Sequence, residues 1–417
     1  MLSALLTRGV GFIASLSLAR EAGAEALSLY MALVITGAAV VAPFGQVFLN
    51  SATMAAARVS GTAWLGQFVR VNLAFALMLA LPLMGVFAFL HWKVASASAA
   101  QLGVLPIWLA WVGASVVVAP LWQAVLTGVL NGSGWQTRCA KMTALCAAVV
   151  MPLSYPAAHW AGVRGAWMAL MLSVWLPFVV LAWVWFKNVA SMGDAAVNVD
   201  DDQQVEPWRQ SWRYFKAGLP NAGALLLGGL VTWWCTVHLP QKVWGAQGVA
   251  ILSINSQWLS LMLLPATSWG GVALSEMAQA HASRVGRPQA WGLIRRWLAR
   301  NGVVTLVVVL VVMVAASRLE AAYRMEGQGL RALLLISGLS AMLSALYAVF
   351  ERALICWGHQ HYLLLTALLA AVVQVLATQL LIDQSLLGVQ QGMLLGAGVM
   401  LVFGCLVWRA VLNNERE

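Results

Sequence analysis

A few polar side chains interrupt long apolar stretches, and their chemistry needs a reason. Arg8 breaks the run MLSALLTRGVGFIASLSLAR. Gln46 and Asn50 follow Pro43 in VVAPFGQVFLN, and Arg58 closes that stretch. Asn255 and Gln257 precede Pro265 in ILSINSQWLSLMLLPATS, and Lys216 and Asn221 flank Ala217-Gly218-Leu219-Pro220. A cation within an apolar segment either snorkels to the nearest interface or receives an anionic group. An amide there either bonds a neighbouring helix or recognises hydroxyls. Each proline frees a backbone carbonyl and permits bending, so Pro43 and Pro265 are candidate hinges.

Other chemistry is not supported by the spacing. The six histidines are dispersed, and the five cysteines lie singly in apolar segments with no C-x-x-C pair. Neither a zinc site nor a disulfide framework follows. No nucleophile–base set or phosphate-binding glycine loop stands at convincing spacing. We expect no metal, no cofactor and no enzymatic activity. Glu276, Glu351 and Asp383 lie at or beyond the ends of apolar runs, poor positions for a proton relay.

The elements that position these residues must be membrane helices. Of 417 residues, 62% are apolar and 9% charged, where a soluble domain carries about a quarter charged residues. Such a chain has lipid as its solvent over most of its length. The net charge of +10 reflects basic residues in short loops beside apolar spans, so nucleic-acid binding is not expected. Trp is abundant at 22 residues, as suits interfaces and bundle interiors. The N-terminal run lacks a basic leader and reads as a retained first helix.

Apolar runs of spanning length predict twelve helices, at 2–19, 27–56, 68–91, 103–130, 137–157 and 164–186, then 214–238, 246–276, 298–317, 331–356, 361–382 and 386–411. Two six-helix bundles, 1–186 and 214–417, flank a polar linker at 187–213. The halves echo each other. Gly23, Ala24 and Pro43 precede Gly245, Ala246 and Pro265 by 222 positions, and TALCAAVV at 143–150 precedes TALLAAVV at 366–373 by 223. An even number of spans per repeat makes the duplication parallel. Of the 24 Lys and Arg, 16 fall on the side of the termini and linker, 7 on the other, and Arg8 lies within the first helix. Both termini are therefore expected in the cytoplasm.

Four passages then resemble a known superfamily, the multidrug/oligosaccharidyl-lipid/polysaccharide exporters, and within it the bacterial polysaccharide flippases of the Wzx type. They are Leu18-Ala19-Arg20-Glu21-Ala22-Gly23 ending the first helix, Ala217-Gly218-Leu219-Pro220 opening the seventh, Leu274-Ser275-Glu276 closing the eighth and Gly162-Val163-Arg164-Gly165-Ala166 opening the sixth. The resemblance implies a MATE-like, all-α fold, with the two bundles around a central cavity. It implies alternating access that carries an undecaprenyl-diphosphate-linked oligosaccharide across the bacterial inner membrane. A cationic cavity suits the diphosphate, with Arg8 the best fit and Lys216 and Arg58 next; Gln46, Asn50, Asn221, Asn255 and Gln257 are the candidate contacts to sugar. Membrane lipids, a polysaccharide polymerase and a chain-length regulator are the implied partners. A cation-coupled exporter of drugs or small molecules is the alternative, although the first helix lacks the Asp that such relatives often place there. A polymerase or ligase is a third reading; it would need the long polar segment outside.

Overall fold

The computed structural model describes residues 2–58, 62–101, 106–191, 206–282 and 287–414. The side chains at 2–4, 57–63, 93–106, 109, 188–191, 271, 275, 278, 279, 282, 287 and 414 also lie outside the description. Arg58 therefore contributes only its backbone, at the end of a helix, and most of the predicted linker is outside the described residues.

The described residues fold into helices without a strand: α1 (Leu2–Glu21), α2 (Gly23–Arg58), α3 (Thr62–Gln101), α4 (Pro106–Gly132), α5 (Gln136–Ser191), α6 (Pro207–Trp233), α7 (Leu239–Met262), α8 (Leu264–Ser268), α9 (Gly270–Ala282), α10 (Arg287–Ala322), α11 (Leu330–Cys356), α12 (His361–Leu381) and α13 (Leu387–Asn414). A π-helical turn, Trp234–His238, joins α6 to α7. Helices are the form that satisfies every backbone group without water.

Nine segments among the described residues are long and apolar enough to cross a membrane. Two of them, Gln136–Lys187 and Pro207–Met262, have about twice the necessary length. Each turns at a glycine of left-handed φ: Gly162 (φ 55°, ψ −135°) and Gly245 (φ 64°, ψ −158°). A Cβ would strain both positions, so glycine is required for the reversal. Counting each long segment as two spans and adding the 20-residue α1 gives the expected twelve. This is an all-helical, multi-pass membrane protein. Gly23, at φ 79°, opens α2, and Gly245, at φ 64°, stands at the corresponding place in the second half, so the glycine echo in the sequence falls on two positions of positive φ.

Packing divides the chain at Leu226/Leu227, inside α6, with Leu6–Leu226 in one unit and Leu227–Glu417 in the other. In the first unit α2 and α3 pack on α4. Gly128 of α4 meets α2 so closely that a Cβ there would stand 2.5 Å from the Leu49 carbonyl oxygen. One end of this unit is filled by Ala52, Phe68, Leu126, Val129, Leu181 and Trp185. In the second unit α11 is central: α7, α9, α10 and α13 all pack on it. The pairing repeats, with α2 on α4 matched by α7 and α9 on α11, and α3 on α4 matched by α10 on α11.

The first half of α6 belongs to the first unit by its contacts. Phe215 stacks edge-on against Phe75 at 4.8 Å and lies 5.9 Å from Phe48. Asn72 Nδ2 donates to Ser211 Oγ at 2.8 Å, and Gly218 packs against Val47.

Candidate functional site

In α2, 72% of the most apolar window is buried, against 22% in both α3 and α10. Beyond its first turn, its exposed residues among the described side chains form one stripe at four-residue spacing: Ala38, Ala42, Gln46 and Met54, with Asn50 partly buried between the last two. Four-residue spacing keeps side chains on one helical face. The lipid-facing helices look different. Leu77, Met78, Leu81, Val86, Phe89 and Trp92 are the large apolar residues exposed on α3 among the described side chains. A stripe of alanines and amides on the most enclosed helix suits water or a polar ligand, because an amide facing lipid is costly. Gln46 Nε2 donates to Asn50 Oδ1 at 2.9 Å, which holds the two amides as one unit. Pro43 is buried within α2, and the helix runs through it without interruption.

The amphipathic start of α6 adds charge to the same unit. Ser211 and Phe215 face inward, while Trp208, Arg209, Trp212, Arg213 and Lys216 are exposed. Arg209 pairs with Glu206 at 3.1 Å. Lys216 adjoins Phe215, which meets Phe48, and Gln46 and Asn50 are within two residues of Phe48 on α2. Residues two apart on a helix point to opposite sides, so Gln46 and Asn50 face away from this Phe48–Phe215 contact. Asn221 is buried one turn further along α6. Arg8 is half-buried in α1, where Gly9 packs on Met151 of α5.

The second unit uses its amides differently. Asn255 is fully buried; its Nδ2 donates to Ser337 Oγ at 2.8 Å. Ser337 Oγ in turn donates to Gln390 Oε1 at 2.9 Å. This knot ties α7, α11 and α13, so the geometry gives Asn255 the interhelical role among the two open to it. Gln257 is half-exposed. The 222-residue register carries the reason. It sets Asn255 opposite Leu33, itself fully buried, and sets Gln46 opposite Ser268, not opposite Asn255 or Gln257.

Around Pro265 the helix breaks twice. Leu263 (φ −81°, ψ −9°) stays in the right-handed region at its edge, Trp269 (φ −92°, ψ 0°) leaves it, and the two bound the five-residue α8. Arg352 of α11 enters this break, and its Nη2 donates to the Ala266 carbonyl at 2.9 Å. Gly270 leaves it room, since a Cβ there would lie 2.6 Å from Nη2. Nothing in the sequence spacing links Arg352 to Ala266, so this contact had no sequence signal. Glu276 accepts a hydrogen bond from Trp297 Nε1 at 3.0 Å. No cluster of three metal-ligating residues occurs among the described residues.

The described residues thus form a polytopic helical membrane bundle with one polar stripe on its most enclosed helix. Solved structures identify the fold. The chain is similar to the inward-facing conformation of a multidrug resistance MATE family transporter of the MOP superfamily, with TM-score 0.73 and 16% identity, covering 99% of this chain and 98% of that one. Its similarity to an outward-facing conformation of such a transporter has TM-score 0.70 and 18% identity over 99% and 94% of the two chains. A MOP superfamily transporter from Pyrococcus furiosus, for which a binding pocket of reverse polarity is said to suggest a different function, matches with TM-score 0.70 and 17% identity over 100% and 95%. The fold is therefore the MATE fold. No protein-family model and no curated protein matches the chain.

Proposed function

We propose that this protein is a transporter working by alternating access, and that its cargo is an undecaprenyl-diphosphate-linked oligosaccharide moved across the bacterial inner membrane for surface-polysaccharide assembly. The reading is supported by exposed cations on α6 and by the amide stripe on α2, both within the first unit. Lys216 and Arg213 offer charge to a diphosphate, and Gln46 and Asn50 offer donors and acceptors to sugar hydroxyls. Arg8, half-buried in α1, supplies a further cation. A cationic contact strengthens each phosphate hydrogen bond relative to a neutral one. A polysaccharide polymerase and a chain-length regulator are the partners such a transporter would serve.

The test is leaflet transfer of a fluorescent lipid-linked glycan in proteoliposomes. Arg8→Ala is expected to lower the rate more than Arg8→Lys, because the requirement is a cation. Full activity in both variants would remove Arg8 from the pathway, and no transfer of any lipid-linked glycan by the wild type would overturn the reading. The second reading, a cation-coupled exporter of drugs or small molecules, draws on the multidrug resistance transporters that share the fold. It predicts drug hypersensitivity on deletion, with surface polysaccharide intact.

A further inference from the structure

Helix α10 presents one face to lipid. Val303, Leu306, Val307, Leu310, Val311 and Val314 are all exposed, Val314 to 84%. Followed toward the N-terminus at three- and four-residue steps, this face reaches Arg300 and Arg296, both exposed. The opposite face holds Ala290, Ile294, Trp297 and Asn301, all buried. Arg318 lies on the lipid face at the far end, about 27 Å from Arg300 along the helix. A bilayer's hydrocarbon core is about 30 Å thick. The two ends of the apolar stripe therefore stand at the two headgroup levels, and the Arg296 end carries clustered charge.

Among the described residues that cluster has no carboxylate partner. Arg295, Arg296 and Arg300 make no ion pair among the described residues. The nearby carboxylate, Glu276, is engaged by the Trp297 indole. Arg300 stacks over the Trp297 ring, its guanidinium carbon 5.1 Å from the centroid, which limits its freedom. Arg296 and Arg300 are one turn apart and so present two forks to one point.

We propose that Arg296 and Arg300 bind the phosphate of an anionic phospholipid whose acyl chains lie along Val303, Val307 and Val311. The two forks give charge-assisted hydrogen bonds to phosphate, and the aligned apolar stripe selects a ligand that carries chains as well as charge. This site is independent of what the protein transports.

The experiment is native mass spectrometry of the detergent-purified protein titrated with phosphatidylglycerol and, separately, with phosphatidylcholine. The wild type is expected to retain phosphatidylglycerol in preference. Arg296→Gln/Arg300→Gln is expected to weaken phosphatidylglycerol binding about tenfold, leaving phosphatidylcholine unchanged. The double lysine variant, which keeps the charge and loses the forks, should fall between. Arg318→Gln should bind as the wild type does. Both arginines are exposed, so an unchanged elution profile and helical signal are expected. The single Arg296→Gln variant gives the same reading if the double variant misfolds. Undiminished binding in the glutamine variants, or an equal loss in Arg318→Gln, would overturn the assignment. So would displacement of phosphatidylglycerol by equimolar undecaprenyl diphosphate, which would make the site an entry port for cargo.

Discussion

Asn255→Ala separates a packing amide from a cargo-binding one. The substitution removes the donor to Ser337 Oγ, 2.8 Å away, from a residue with no solvent exposure. Ser337 still donates to Gln390 at 2.9 Å, so its hydroxyl keeps one partner. The loss is then one interhelical hydrogen bond, about 0.6 kcal/mol in a membrane bundle. Collapse around the lost carboxamide adds about 1 kcal/mol. A cost of about 1–2 kcal/mol lowers the melting temperature by roughly 2–4 °C per kcal/mol for a unit of this size. Thermal unfolding in detergent, with Ser337→Ala and the double variant completing the cycle, measures the coupling. Leaflet transfer by the folded Asn255→Ala protein should be retained. An unshifted melting temperature together with lost transfer would refute the assignment, and Asn255 would then belong to the pathway.

The stripe on α2 predicts the converse. Gln46→Ala and Asn50→Ala should shift stability by less than about 0.5 kcal/mol, since Gln46 is exposed and Asn50 only partly buried, yet lower transfer; full transfer in both would end the stripe's role. Arg352→Met leaves the Ala266 carbonyl without its partner, at a cost of about 1–3 kcal/mol. Limited proteolysis should then cut near Leu263–Trp269 sooner, and an unchanged cleavage pattern would show that the break holds without Arg352.

Much of the architecture was legible because lipid imposes a simple rule: length and apolarity give a span, and a glycine of positive φ gives a reversal. Gly23 and Gly245, 222 positions apart, both take a positive φ that favours glycine. Side-chain direction was harder to read. Asn50 and Asn255 are the same residue type in corresponding helices, yet one is on an exposed stripe and the other in a buried knot. Only the register, which pairs Asn255 with Leu33, distinguishes them. Pro265 announced one bend, whereas helical assignment is interrupted at both Leu263 and Trp269, and Arg352 donates to the Ala266 carbonyl between them. The π turn at Trp234–His238 had no signature either; nothing in Trp-Cys-Thr-Val-His departs from an ordinary helical composition.

The seat of α6 constrains how the chain can be divided. Phe215, Trp212 and Ser211 fill a place on α2 and α3 that the first six spans leave open. A fragment ending at Ser191 would carry that aromatic face bare, and a fragment beginning at Glu206 would carry its complement. Two such pieces, made together, have a built-in means of finding each other, while either alone exposes a sticky flank.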